Sequence, residues 1–125
     1  MNSWEPAALD LIALLPRTAR GPKREGIYAL WLTLRVTQGL LLDPPIPERL
    51  RRRRLTALET RLSSLTVPPP LRRALISAIH HLKDAGPEMA AQVLGNLVAP
   101  ARDSTGAEAA DAISRAARVA KLGPR

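Results

Sequence analysis

An all-α fold is what this sequence predicts. Proline and glycine divide it into segments of helical length, and nearly every segment repeats its apolar residues with helical period. No alternating strand pattern and no internal repeat appears. The core material points the same way. There is no Phe, the only aromatics are Trp4, Tyr28 and Trp31, and Leu, Ala, Ile and Val supply the rest, which suits closely packed helices.

Ser3 stands where a first helix would be capped, with Trp4, Ala8, Leu11, Ile12 and Leu15 on one face. Pro16 falls near its end, because an interior proline removes a backbone bond. The basic stretch RTARGPKREG follows, and Pro22, just after Gly21, suits the first position of a second helix. Residues 27, 30, 31, 34 and 41 form one apolar stripe there, and 28, 32, 36 and 40 another. A helix apolar on two sides is surrounded, so this one is expected at the centre, ending before Asp43-Pro44-Pro45.

A third helix is expected from Pro47. Its Leu55, Leu58, Leu62 and Leu65 make a narrow heptad-like seam, and Pro68-Pro69-Pro70 interrupts the chain after it. A fourth turns Leu71, Leu75, Ile79 and Leu82 inward and stops at Gly86-Pro87. Met89, Val93, Leu94, Leu97 and Val98 mark a short fifth segment.

Over the remaining stretch, Thr105 with Glu108 reads as a capping box and Asp111 with Arg115 as an i, i+4 pair. Its apolar side is mostly alanine, with only Ile113, Val119 and Leu122 larger. The expected architecture is therefore an antiparallel four-helix bundle over 1–100. An Ala-rich C-terminal helix over 101–125 would dock weakly, pair with another copy or fray.

With 125 residues the chain is expected to be one domain with a modest core. No Cys is present, which excludes disulfides, thiolate zinc sites and cysteine nucleophiles. The opening MNSWEPAALD lacks the apolar centre of a signal peptide. The longest apolar window, 27–34, falls well short of the ~20 residues of a membrane span. A soluble, cytoplasmic protein without membrane attachment is expected.

Catalytic chemistry has thin support. His80 and His81 are neighbours on a helix, about 100° apart, and share no face. His80 and Asp84 could offer two ligands to a metal, but no other His completes a site. Without a phosphate loop or a serine-centred motif, the expectation is no enzyme, no metal and no cofactor.

Charge says more. The net charge is +8, and sixteen of the nineteen basic residues are Arg. They cluster as Arg17, Arg20, Lys23 and Arg24; as Arg49 and Arg51 to Arg54; and as Arg72 and Arg73. Four successive arginines wrap around a helix, and Arg51 falls on the leucine side, where it should snorkel toward water. Arg49, Arg52, Arg53 and Arg54 spray outward at a helix start, where the dipole opposes positive charge. Something outside the helix is expected to compensate them. Such groups suit phosphates contacted without regard to base sequence. The scarcity of aromatics argues against base-reading recognition of single strands. The alternative from charge alone is a helical adaptor or scaffold for a protein partner.

The stretch ALDLIALLPRTARGPKREGIYALWLTLR resembles the first helical hairpin of small four-helix-bundle proteins. These are the accessory variability determinants of diversity-generating retroelements and the proteins encoded within 23S ribosomal RNA intervening sequences. Leu15, Pro16, Arg17, Gly21, Pro22, Lys23 and Arg24 fit that family's joint, and RRRRLTALETRLSSL and HLKDAGPEMAAQVLGNL look like its third helix and the turn into its fourth. The likeness covers residues 7–100. It departs at Gly21, where the family has an aromatic, at the triple proline, and over 104–122. The resemblance implies a non-enzymatic basic protein that assembles as a homo-oligomer, a pentamer, binds nucleic acid and partners a reverse transcriptase in mutagenic copying. The joint would then be a structural corner whose Arg and Lys residues join a charged rim. The doubly apolar second helix and the leucine seam also argue for self-association, since they leave more apolar face than one bundle of this size covers.

Overall fold

The computed structural model describes residues 4–41 and 46–121. The proposed cap at Ser3, the stop at Asp43-Pro44-Pro45 and the apolar Leu122 lie outside the described residues. Those residues form six α-helices and no strand: α1 (Trp4–Leu14), α2 (Pro22–Leu40), α3 (Glu48–Ser63), α4 (Pro69–Ala85), α5 (Ala90–Thr105) and α6 (Ala107–Lys121). The all-α class is as predicted. In place of four long helices and an appended one there are six, of 11 to 19 residues.

Proline decides several boundaries. Leu15–Arg17 form a single 3-10 turn carrying Pro16, and Gly21, at φ 140°, leads into Pro22 as the first residue of α2. The triple proline opens a helix instead of splitting one. Pro68 is extended at ψ 135°, and Pro69 and Pro70 take the first two positions of α4. The amide hydrogens they lack would have had no partner within the helix there. Pro100, by contrast, lies inside α5, which continues through it to Thr105. The carbonyl that loses its donor belongs to Asn96, an exposed residue.

The packing is sequential and mostly antiparallel. The Glu5 carboxylate accepts from Arg35 at 2.9 Å, which sets the start of α1 against the later half of α2. The Thr66 amide donates to Glu25 at 2.6 Å, which sets the exit of α3 against the start of α2. Arg17 lies 3.6 Å from Glu108, and Arg115 pairs with Asp10, so α6 runs back along α1 and closes the series. The second helix touches all five others and is the central one, as its two stripes imply. Ile27, Leu30 and Leu34 are fully covered, whereas Tyr28, Trp31, Leu32 and Val36 remain half-exposed. Leu55, Leu58 and Leu62 are buried as the seam requires, and Leu65 beyond the helix end is half-buried.

The C-terminal region departs most from expectation. The boundary at 100/101 falls within α5 and does not separate two units. Nor is the last helix loosely held: Ala109, Ala110, Ala112, Ile113 and Ala116 are all fully buried against α1, α2 and α5. Short alanine side chains let helix axes approach closely, so a face that buries little area per residue still packs tightly. The capping box does not form. Thr105 ends α5, its hydroxyl donates to the Ala101 carbonyl at 2.6 Å, and Gly106, at φ 99°, makes the corner into α6. Asp111 and Arg115 also part company. Arg115 reaches Asp10, and Asp111 lies 3.8 Å from Arg102.

Candidate nucleic-acid interface

The ten predicted basic residues do not form one surface. Arg17, Arg20, Lys23 and Arg24 sit at the start of α2, with Arg72 and Arg73 nearby at the start of α4. Gly26 shows how close these elements come: a Cβ added there would lie 2.9 Å from Thr105 Cγ2 and 3.2 Å from Leu71 Cδ2. Arg49, Arg52, Arg53 and Arg54 sit at the other end, where α3 begins. With 16 residues at about 1.5 Å each, α3 sets the two groups roughly 24 Å apart.

Within each group the arginines do different things. Arg52 leans toward α4 and is tied to Glu48 at 3.3 Å and to Asp84 at 3.9 Å. Arg49, Arg53 and Arg54 are exposed and make no ion pair or side-chain hydrogen bond among the described residues. A Cβ on Gly39 would lie 3.7 Å from Arg54 Nη1, so Arg54 reaches over the end of α2. At the opposite end, Arg17 is paired with Glu108, while Arg20, Lys23 and Arg73 are exposed without a carboxylate among the described residues, and Arg24 is half-buried. Arg17, Arg20 and Lys23 line a hollow formed by the joint itself.

Two arginines are committed to the fold. Arg72 was expected on the binding surface, yet its guanidinium turns back to donate to the Leu62 carbonyl at 3.3 Å and to the Leu65 carbonyl. It thereby closes the C-terminal end of α3, whose last carbonyls lack partners within the helix. Arg51 does the same for α4. It lies on the leucine side as predicted, with most of its length covered. Only 12% of the side chain is exposed, Nη2 donates to the Lys83 carbonyl at 3.1 Å, and Nε is buried without a partner. The signal for both roles is position: each arginine sits beside an inward-facing leucine, at a helix end facing the end of a neighbour.

The histidines diverge. His80 Nε2 lies 3.5 Å from Glu59, and His81 Nδ1 lies 2.9 Å from the Ser77 carbonyl. The hydrogen bond from Lys83, at 3.2 Å, holds the Glu59 carboxyl below its ordinary range; burial opposes it, and the Lys83 charge and the His80 hydrogen bond and charge add to the lowering. Among the described residues no three His, Asp or Glu side chains come together as a metal site requires, and no helix is long and apolar enough to cross a membrane.

The aromatics carry what charge reasoning missed. Tyr28 and Trp31 stack with centroids 6.0 Å apart and planes 16° from parallel, both on the half-exposed stripe of α2. Arg61 of α3 donates to the Tyr28 hydroxyl at 2.6 Å. Their i, i+3 spacing was visible in the sequence. Which side of α2 would stay uncovered was not. Compared with family models, with curated proteins and with solved structures, the chain matches nothing.

Proposed function

We propose that this chain is a non-enzymatic basic helical protein that binds nucleic acid through its phosphates. On the resemblance of its first hairpin, we also propose that it works beside a reverse transcriptase in mutagenic copying. One observation carries the binding half. Arg49, Arg53 and Arg54 project from the first two turns of α3 without a carboxylate among the described residues. There the helix dipole disfavours positive charge, and an external polyanion would relieve it. Arg20, Lys23 and Arg73 supply a second group at the far end, likewise without a carboxylate among the described residues. Arg72 drops out of the binding set, because its guanidinium is already engaged by carbonyls, and Arg51, never counted in that set, is engaged in the same way.

Self-association belongs to the same proposal and rests chiefly on the resemblance, since the leucine seam of α3 and the Ile27, Leu30 and Leu34 side of α2 are covered within one chain, and Tyr28, Leu32 and Val36 are half-covered. Among large apolar side chains of the described residues only Leu9 stands exposed.

Binding should be indifferent to base sequence and steeply dependent on salt. Each neutralised phosphate releases about 0.9 of a counterion from duplex DNA, so about five contacts give a log–log slope near −4.5, shallower on single strands. Replacing Arg49, Arg53 and Arg54 together by Gln should flatten the slope by about 2 to 3 and weaken all sequences alike. Helix content by circular dichroism should be unchanged. Anisotropy across a salt series reads both. No binding at about 50 mM salt, or a triple variant that binds as before, leaves a protein-binding scaffold as the reading. The polymerase half is tested by co-purification with a reverse transcriptase encoded beside the gene, and a neighbourhood without one removes it.

A further inference from the structure

The geometry points to a single-strand track along the exposed stripe of α2, on which unpaired bases stack beside Trp31 while arginines hold the phosphates. The inference deepens the reading above and rests on it: it names the class of nucleic acid and the place where the bases go.

Arg24, Tyr28, Trp31 and Arg35 recur at i, i+4, i+7 and i+11, which is one line on a helix surface. That line lies between α1, reached by Arg35 through Glu5, and α3, whose Arg61 holds the Tyr28 hydroxyl. Near-parallel rings with centroids 6.0 Å apart form a displaced stack, which leaves ring face open alongside. Two of the three aromatics in the chain stand on this one stripe, with the exposed Arg61 beside them.

The stripe also joins what otherwise stays apart. It starts at the basic joint, by Arg24, and ends at Gly39, where Arg54 crosses from the arginine-rich start of α3. From Arg24 to Gly39 is about 22 Å at 1.5 Å per residue, the span of about six stacked nucleotides at roughly 3.4 Å each. Cations at both ends with aromatic faces between them match the pattern of a charged strand that bears a π-face at every step. Stacking of this kind tolerates any base, so it sits with sequence-indifferent binding. A duplex, whose bases are already stacked and enclosed, would meet only the basic ends.

The test uses intrinsic fluorescence of the full chain, titrated with oligo(dT) and oligo(rU). Trp4 is buried at 6% exposure, so a ligand on the stripe is reported by Trp31. Both oligonucleotides should quench the wild-type protein and leave Trp31→Phe nearly unchanged, while heparin and poly-glutamate, which carry charge without bases, should not quench. Affinity of Trp31→Ala for the single strands should fall about 5- to 100-fold, with duplex affinity held within about twofold. If single strands bind without quenching, or single-strand and duplex affinity fall together, the stacking track is wrong and phosphate binding stands. Quenching by poly-glutamate would transfer the stripe to an acidic protein. A wild-type chain that binds no nucleic acid at low salt removes the underlying reading as well.

Discussion

A guanidinium that closes a helix end and one that stands in water respond oppositely to removal, and Arg72 and Arg73 offer the comparison at adjacent positions. Arg72→Ala strips donors from the Leu62 and Leu65 carbonyls and should cost about 1–3 kcal/mol of stability. Arg73→Ala should stay within about 0.5 kcal/mol, its side chain being exposed and unpaired among the described residues. Urea unfolding of the two variants decides it, and equal effects would mean the Arg72 bonds add nothing. Glu59 gives the residue-scale pH effect. Because the fold lowers its carboxyl, the stability it adds is complete above the ordinary glutamate value and is lost as pH falls through the lowered one. Glu59→Gln should therefore lower stability at about pH 6 and above, by an amount that shrinks as pH falls, so that the acid limb of the curve flattens. Thermal melts of both proteins across pH 3 to 6 are the check, roughly the window of glutamate titration. At this scale the sequence shows which residues are basic but not what each one meets. Arg51 was placed on the leucine side correctly, and its destination, a carbonyl 32 residues later, depends on how α3 and α4 align.

Helices here are shaped by where glycine and proline fall, and two helical glycines separate packing from propensity. Gly26 lies where α2 crosses the start of α4 and the end of α5, and Thr105, fixed by its bond to Ala101, cannot swing away from a new methyl group. Gly26→Ala should destabilise by about 1–3 kcal/mol through overpacking, less the gain in helix propensity of up to about 1 kcal/mol. Gly95 meets nothing within 4 Å, so Gly95→Ala should stabilise by up to about 1 kcal/mol. Opposite signs in thermal unfolding are expected, and a stabilising Gly26→Ala would show the junction to be looser than it is drawn. Apolar period located nearly every helix and the order of the chain. The ends were less legible, because the same residue type has several uses. Prolines 68–70 start a helix where they looked like a break, Pro100 breaks nothing, and Thr105 lies inside a helix end that resembled a beginning. The alanines of α6 read as weak because their area is small, whereas closeness of approach is set by the partner surfaces.

Across the whole molecule, positive charge is parted between two ends, with α2 and its aromatic pair connecting them. A chain that assembles should scatter light as a multiple of 13.6 kDa at tens of micromolar, while a mass of 13.6 kDa would remove self-association from the proposal. The sequence made the charge plain, and it could not show the division, since residues 24 and 54 are set at opposite ends only by antiparallel packing of α2 and α3. The return of α6 to α1 has a consequence in time. Asp10 meets Arg115 across a separation of 105 residues, and the buried face of α1, with Trp4, Ala7, Ala8 and Leu11, is completed by α6. On the ribosome α1 thus emerges well before the α6 that completes its cover, while α3 with α4, joined by a short link, can form a hairpin early. Until α6 arrives, α2 covers only part of that apolar stripe, and the rest is open to a chaperone or a neighbouring chain.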